Sequence, residues 1–135
     1  MMNPDGVIHG NYRTSLGGCD LNRRWKKPNR KLNPTVFFVK ESITKFSREK
    51  DVRFIIDLHG HSKNFNAFFY GCNNVEDQIP SRVFPYLLSK INKMVSFRNS
   101  RFHYSKLQES TARVALWKEL KISNVYTLEA SFYGY

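Results

Sequence analysis

The chain has 135 residues, which is enough for one domain with a hydrophobic core. Hydrophobic residues make up 41% of it and aromatic residues 15%, a composition that excludes a disordered tail or a low-complexity linker. With 22 Lys and Arg against 11 Asp and Glu, the net charge is +11, so we expect an anionic partner such as an acidic peptide, nucleic acid or a membrane surface.

Two further features bear on the compartment. Cys19 and Cys72 are the only cysteines, and their wide separation suggests neither a disulfide framework nor a thiolate metal site, which favours a reducing environment. The first residues lack a basic segment followed by an apolar one, and no apolar run reaches the length of a bilayer span. We therefore predict a soluble, cytoplasmic protein with no membrane partner.

Residues 3–31 predict loops that carry basic and polar groups. Residues 3–6 (Asn-Pro-Asp-Gly) are a turn signal, and Asn22 with Arg23 offers donors that suit a carboxylate or a phosphate. The densest basic cluster surrounds Trp25. It would suit a solvated surface loop or a nucleic-acid-binding loop, and it consists of Arg23, Arg24, Lys26, Lys27, Arg30 and Lys31.

The middle of the chain alternates helix and strand signals. Apolar residues recur at helical spacing from Asn33-Pro34 to about residue 48, which predicts an amphipathic helix. Residues 52–58 predict a buried strand, and residues 66–70 a second strand joined to it by a hairpin or another short connection. A further helix begins at Pro80-Ser81, and we expect its apolar stripe from Val83 to Met94 to lie in the core.

The end of the first strand carries polar groups. Asp57, His59 and, if the strand continues past Gly60, His61 would project from one face, at the carboxyl end where α/β folds usually build their sites. A neutral imidazole fixed on a strand is a good zinc ligand. The spacing by itself favours the alternative, which is that both histidines are structural and hydrogen-bonded.

The last third of the sequence predicts one more helix and one more strand. Residues 96–109 are polar and basic, and Tyr104 is their candidate phenol near a site. Ser110-Thr111 begins a helix with Arg113 in its first turn. Residues 125–132 form a strand by composition and carry Glu129 in the middle. Because glutamate is depleted in strands and seldom buried unpaired, Glu129 either faces solvent or belongs to a site.

Five segments, in this order, resemble the zinc metallocarboxypeptidases of the carboxypeptidase A type. They are residues 3–7 (Asn-Pro-Asp-Gly-Val), 10–13 (Gly-Asn-Tyr-Arg), 20–23 (Asp-Leu-Asn-Arg), 57–62 (Asp-Leu-His-Gly-His-Ser) and 126–129 (Tyr-Thr-Leu-Glu). Within that superfamily, residues 10–13, 59–62 and 110–114 most resemble the cytosolic carboxypeptidases, which include tubulin deglutamylases.

That resemblance implies a fold and an activity. The fold would be α/β, part of a mixed-sheet metallocarboxypeptidase domain with helices on both faces. The activity would be zinc-dependent hydrolysis of C-terminal amino acids, with one zinc ion per catalytic site. The substrate would be glutamate at the end of an acidic tail such as that of tubulin.

The resemblance also assigns roles by position. His59 matches a zinc ligand, and Asn22 with Arg23 matches the pair that holds the terminal carboxylate of the substrate. Arg13 matches the arginine that polarises the scissile carbonyl, and Glu129 matches the general base that activates water.

Two positions near the site have less definite roles. Arg113 falls near the specificity pocket, where a cation would select an acidic side chain. It could equally be a solvated surface charge or a partner for the end of its own helix. His61 falls on a nearby pocket position.

The sequence departs from the family pattern in two ways. No His-x-x-Glu, the motif that supplies the family's other two zinc ligands, occurs in the chain, and the position near Leu107 that aligns with a family tyrosine is not tyrosine. We therefore expect residues 1–135 to be a partial peptidase domain that lacks the upstream zinc motif and the C-terminal end. The alternative is a catalytically incomplete chain that acts as a basic binding module for acidic tails or, less favoured, nucleic acid.

Overall fold

The computed structural model describes residues 1–73 and 76–134. Its helices and strands are, in chain order, α1 (Pro4–Ile8), α2 (Pro34–Glu49), β1 (Ile55–His61), β2 (Ala67–Tyr70), α3 (Pro80–Ile91), α4 (Ala112–Leu120) and β3 (Val125–Ser131), with short 3-10 helices at Leu21–Arg23 and Lys106–Gln108. Among the described residues, no helix combines the length and the apolar character needed to cross a bilayer.

Local signals account for the helix boundaries. Pro34 and Pro80 begin α2 and α3, where a missing backbone N–H removes no helical hydrogen bond. α4 begins after Thr111 and ends at Leu120, because the next residue, Lys121, has a left-handed φ of 58° that stops the helix. The helix starts predicted from the sequence are confirmed within about two residues for this reason.

The three strands form one mixed sheet in the order β1-β3-β2. β1 pairs parallel with β3, from Ile55 opposite Val125 to His61 opposite Ser131, and β2 pairs antiparallel with β3. The mixed sheet confirms the predicted fold class. A hairpin between β1 and β2 is not formed, because β3, the last strand in the chain, lies between them.

One face of the sheet is covered by α2 and α4. These helices enclose a hydrophobic cluster with the first residues of β1 and β3, and its fully or nearly buried members are Trp25, Val36, Ala112, Ala115, Leu116 and Val125. Trp25 is only 6% exposed, so its indole is not available to stack on a nucleic-acid base.

The opposite face is covered by α3, but only over β2 and β3. Phe84 and Leu88 pack against a cluster built around Phe69 and Tyr126. The predicted core stripe is therefore mostly wrong, because its other four members remain in solvent: Val83, Leu87, Ile91 and Met94 are 45%, 56%, 83% and 48% exposed.

The sequence predicts a buried strand at residues 52–58, whereas β1 spans Ile55–His61 and is buried on one face only. Asp57, His59 and His61 are partly buried, whereas Ile56 and Leu58, on the other face, are 40% and 74% exposed. β1 is an edge strand of the described sheet, and its outer apolar face is only partly covered, least of all at Leu58.

Candidate active site

The carboxyl end of β1 gathers the polar groups that alternation predicts. Asp57, His59 and His61 share one face of the strand, and β3 adds Glu129 directly opposite His59 in the paired register. β1 continues past Gly60, where the ring of Phe132 lies so close that a Cβ atom would overlap it. A glycine at this position therefore lets the strand extend to His61.

His59 is oriented by the carboxylate of Asp57. Its Nε2 lies 2.7 Å from Asp57 Oδ2, and this hydrogen bond raises the pKa of His59 against the opposing effect of burial. In the neutral imidazole, Asp57 accepts the Nε2 proton and Nδ1 keeps its lone pair, and Nδ1 makes no hydrogen bond to any residue the structure describes. A carboxylate on one ring nitrogen and a lone pair on the other is the usual arrangement of a metal-binding histidine.

The His59 imidazole alone does not make a metal site, because a metal ion needs further ligands. Across residues 1–73 and 76–134, no group of three His, Cys, Asp or Glu side chains is placed to hold a metal ion. Because a catalytic zinc ion takes about three protein ligands, the described residues fit one of them and leave the others to be supplied from elsewhere.

Glu129 is a partly buried carboxylate flanked by imidazoles. Burial raises the pKa of its carboxyl group, and the charges of His59 and His61 partly oppose that rise. His61 Nδ1 lies 3.8 Å from Glu129 Oε2. A carboxyl group with a raised pKa is a stronger proton acceptor than an ordinary solvated one, which suits a group that accepts and returns a proton.

The Asn22 amide is fixed in orientation by two neighbouring elements. Asp20 Oδ1 accepts the Asn22 backbone N–H at 2.9 Å, and Asn22 Oδ1 accepts the Ala112 N–H at 2.8 Å at the start of α4. This leaves Nδ2 facing His59 Nε2 at 3.5 Å. Because His59 Nε2 already donates its proton to Asp57, it cannot accept a hydrogen bond from Asn22 Nδ2. The Nδ2 hydrogens therefore remain free for another acceptor.

Asp20 also positions the two arginines of the loop. Its Oδ2 accepts from Arg13 Nε at 2.7 Å and lies 3.8 Å from Arg23 Nη1, which donates to the Asn22 carbonyl at 3.0 Å. Asp20 is not among the site residues predicted from the sequence. Its position two residues before Asn22, where a carboxylate caps a helical turn, is the signal that could have found it.

A cleft of about 710 Å³ joins the loop to the strand. Arg13, Asp20, Asn22, Asp57 and His59 line it together. The structure thus brings three predicted site residues into one cleft, and Glu129 lies beside it on β3. Arg23 and Arg113 lie outside the lining of this cleft.

Arg113 is a buried cation at the end of β2. Only 4% of the residue is exposed, which excludes a solvated surface charge. Its Nη1 donates to the Gly71 carbonyl and lies 3.4 Å from Cys72 Sγ, so it does not serve the end of its own helix either. Burial lowers the pKa of the guanidinium, and within the described residues no carboxylate forms an ion pair with it.

Tyr104 is not brought to the site. Its ring lies 5.8 Å from that of Trp117, and the Lys118 Nζ atom lies 5.0 Å from its centre, both on α4. Leu107, near the position that the resemblance aligns with a tyrosine, is 84% exposed.

Comparison with known proteins gives both a sequence and a fold likeness. No protein-family model matches the chain. Cytosolic carboxypeptidase 2 of Danio rerio is 41% identical over 138 residues, covering 99% of this chain and 19% of that protein. Cytosolic carboxypeptidase 2 of Homo sapiens is 42% identical over 137 residues, covering 99% of this chain and 15% of that protein.

Solved structures agree with these relatives. A metallo-carboxypeptidase from Burkholderia cenocepacia shares the fold at a TM-score of 0.81 and 24% identity, over 97% of this chain and 34% of that chain. A metallo-carboxypeptidase from Pseudomonas aeruginosa matches at a TM-score of 0.73 and 26% identity, over 97% and 35%. The chain therefore has part of the metallo-carboxypeptidase fold and spans a minor share of the length of these four proteins.

Proposed function

The chain belongs to the cytosolic carboxypeptidase family, and on that premise we propose that it forms the substrate-binding and proton-transferring part of a zinc-dependent carboxypeptidase site. The reaction is hydrolysis of the last peptide bond of an acidic tail, with release of a C-terminal amino acid. The observation that carries this proposal is the register pairing of His59 with Glu129 beside the fixed amide of Asn22.

The terminal carboxylate of the substrate binds to the loop. Asn22 Nδ2 has free hydrogens that face the cleft, and Arg23 adds a guanidinium on the same turn. Hydrogen bonds between such donors and a carboxylate are charge-assisted and therefore strong. Asp20 supports the assignment because it fixes the turn that presents both donors.

Arg13 and Glu129 carry the chemistry that this chain can supply. Arg13 reaches into the cleft and stabilises negative charge on the carbonyl oxygen. Glu129 takes a proton from the attacking water and returns it to the leaving amine, so that one water is consumed for each bond broken. His59 Nδ1 offers one ligand to a zinc ion, which would supply a Lewis acid when bound.

The preferred substrate residue is glutamate. Arg113 is a buried guanidinium without a carboxylate partner in the described chain, and an acidic side chain would balance its charge. The net charge of +11 also favours an acidic tail, such as that of tubulin, as the wider substrate. Because these relatives are named cytosolic carboxypeptidases, the reaction is proposed to take place in the cytoplasm.

A hybrid enzyme tests the proposal. Residues 1–135 would replace the matching segment of the Danio rerio relative, which would supply the remaining ligands. Liberated amino acid is then measured for peptides that differ only in a terminal Glu, Gln or Leu. Release of glutamate in preference to the other two supports the proposal, and a hybrid that binds zinc but releases no terminal residue contradicts it.

A binding module is the second candidate, because the described residues offer a single metal ligand on a strongly basic chain. Its partner would be an acidic tail or, less favoured, nucleic acid, because the buried Trp25 offers no ring for a base to stack on. The two candidates differ in their need for a free terminal carboxylate. A module held by charge alone binds an amidated acidic peptide nearly as well as the free acid, whereas a carboxypeptidase site does not.

A further inference from the structure

Tyr70 lies on the same face of the sheet as the site. It ends β2, pairs with Thr127 of β3, and lies two residues from Phe68, which pairs with Glu129. Because side chains alternate along a strand, Tyr70, Thr127 and Glu129 project from one face, and diagonal neighbours in an antiparallel pair are close enough for long side chains to interact.

The ring of Tyr70 supports Arg113. The guanidinium carbon of Arg113 lies 5.9 Å from the centre of the ring, and its Nη1 is held by the carbonyl of Gly71, the next residue after Tyr70. The ring face and the carbonyl together fix the direction of the guanidinium, so that Tyr70 and Arg113 act as one unit.

The hydroxyl group of Tyr70 is unused. The residue is half-buried, and within residues 1–73 and 76–134 its hydroxyl makes no hydrogen bond, although a buried tyrosine usually finds a partner. Burial and the charge of Glu129 raise the pKa of Tyr70, while Arg101 and Arg113 oppose that rise. The phenol is therefore a protonated donor, close to a catalytic carboxylate and a buried cation.

We propose that the Tyr70 hydroxyl donates a hydrogen bond to the side-chain carboxylate of the substrate's terminal glutamate, beside the guanidinium of Arg113. Tyr70 would thus be a specificity-determining residue, and this rests on the proposed function of the site. The Tyr70 hydroxyl and the Arg113 guanidinium would both donate to this carboxylate. In a terminal glutamine an NH₂ group replaces one carboxylate oxygen, and it cannot accept a hydrogen bond from either donor. A site built from such donors rejects an analogue that cannot accept both bonds.

The full 135-residue chain allows a binding test that needs no metal. Fluorescent acidic peptides that end in Glu or in Gln are titrated against the unaltered chain and against Tyr70→Phe, Arg113→Gln and Tyr86→Phe. Tyr70→Phe keeps the ring beneath Arg113 and removes only the hydroxyl. Tyr86 is a matched control, because Lys90 lies 4.8 Å above its ring on α3, away from the site.

We expect the unaltered chain and Tyr86→Phe to bind the Glu peptide more tightly than the Gln peptide. Tyr70→Phe should weaken binding of the Glu peptide about tenfold and leave that of the Gln peptide nearly unchanged. A Tyr70→Phe chain that retains the full preference while Arg113→Gln loses it overturns the role of Tyr70 alone. An unaltered chain that binds neither peptide, or both alike, overturns the proposed glutamate preference as well.

A second measurement does not depend on the stability of the variant. The chain carrying 3-fluorotyrosine at position 70 should show a change in its fluorine NMR resonance when the Glu peptide is added, and a smaller one with the Gln peptide. The same label at position 86 should show no change with either peptide. If the resonance of the label at position 70 does not change with either peptide, under conditions where both peptides bind, the inference is contradicted.

Discussion

His59 and Glu129 face each other across two parallel strands. Their Cα positions are paired in the register of β1 and β3, and their side chains lie on the same face of the sheet. Parallel strands end at the same edge, so the pairing places an imidazole and a carboxylate from distant parts of the sequence at one carboxyl end. The rest of the site is arranged around this pair.

Replacing Asn22 by Asp should separate substrate binding from stability. The aspartate keeps an acceptor for the Ala112 N–H but loses both Nδ2 donors and adds a charge that repels a substrate carboxylate. We expect binding of a Glu-terminated peptide to weaken at least about tenfold, measured by fluorescence anisotropy, with little change in the urea midpoint.

The matched control for that change is Asn29→Asp. Asn29 Oδ1 also accepts backbone hydrogen bonds, from Lys31 and Leu32, but the residue lies outside the cleft that contains His59. Peptide binding should be unaffected. Equal affinities for the Asn22→Asp and unaltered chains would show that the amide does not hold the carboxylate.

Replacing Glu129 by Gln should change how stability depends on pH. Burial raises the pKa of the Glu129 carboxyl in the folded chain above its ordinary value of about 4.3. The folded chain then binds this proton more tightly than the unfolded chain, so stability is lost as the pH rises from about 4.3 through the raised pKa. The Glu129→Gln variant cannot ionise at this position and should be more stable than the unaltered chain at pH 7, with the difference shrinking toward pH 4.

Urea unfolding followed by circular dichroism at several pH values measures this difference. Glu41→Gln, a change at an exposed position on α2, serves as the control and should show no such trend. If the effect of Glu129→Gln on stability were independent of pH, or grew toward acid, the carboxylate would not be destabilised by burial.

Replacing Leu116 by Ala should destabilise the core. Leu116 is 2% exposed in the cluster between α4, α2 and the sheet, and its truncation leaves a cavity that costs about 2–5 kcal/mol in the free energy of unfolding. Leu107→Ala removes the same atoms from a position that is 84% exposed and should change that energy by less than about 0.5 kcal/mol. Similar losses for the two variants would contradict the described core.

The sequence predicts the local features of this fold well. Pro34 and Pro80 mark helix starts, and period-two alternation correctly places Asp57, His59 and His61 on one face. These predictions succeed because they depend on backbone chemistry within a few residues. The functional roles of the site residues came from the family resemblance and remain proposals.

Features set by long-range contacts could not be predicted in the same way. The insertion of β3 between β1 and β2 depends on strand pairing across the whole chain, and no local signal excludes a hairpin. The apolar stripe of α3 has the right period, but which of its residues are covered depends on the width of the sheet beneath it. Tyr70 and Arg113 meet only because α4 packs near the end of β2.

The central claim is that Glu129 transfers protons in a carboxypeptidase reaction. The most direct measurement is the kcat of the hybrid enzyme on a Glu-terminated peptide, compared between the unaltered chain, Glu129→Gln and Glu41→Gln. We expect Glu129→Gln to lower kcat by at least about 100-fold, because a general base is lost, with KM nearly unchanged. Glu41→Gln should behave as the unaltered hybrid. A Glu129→Gln hybrid that retains its kcat would contradict the account.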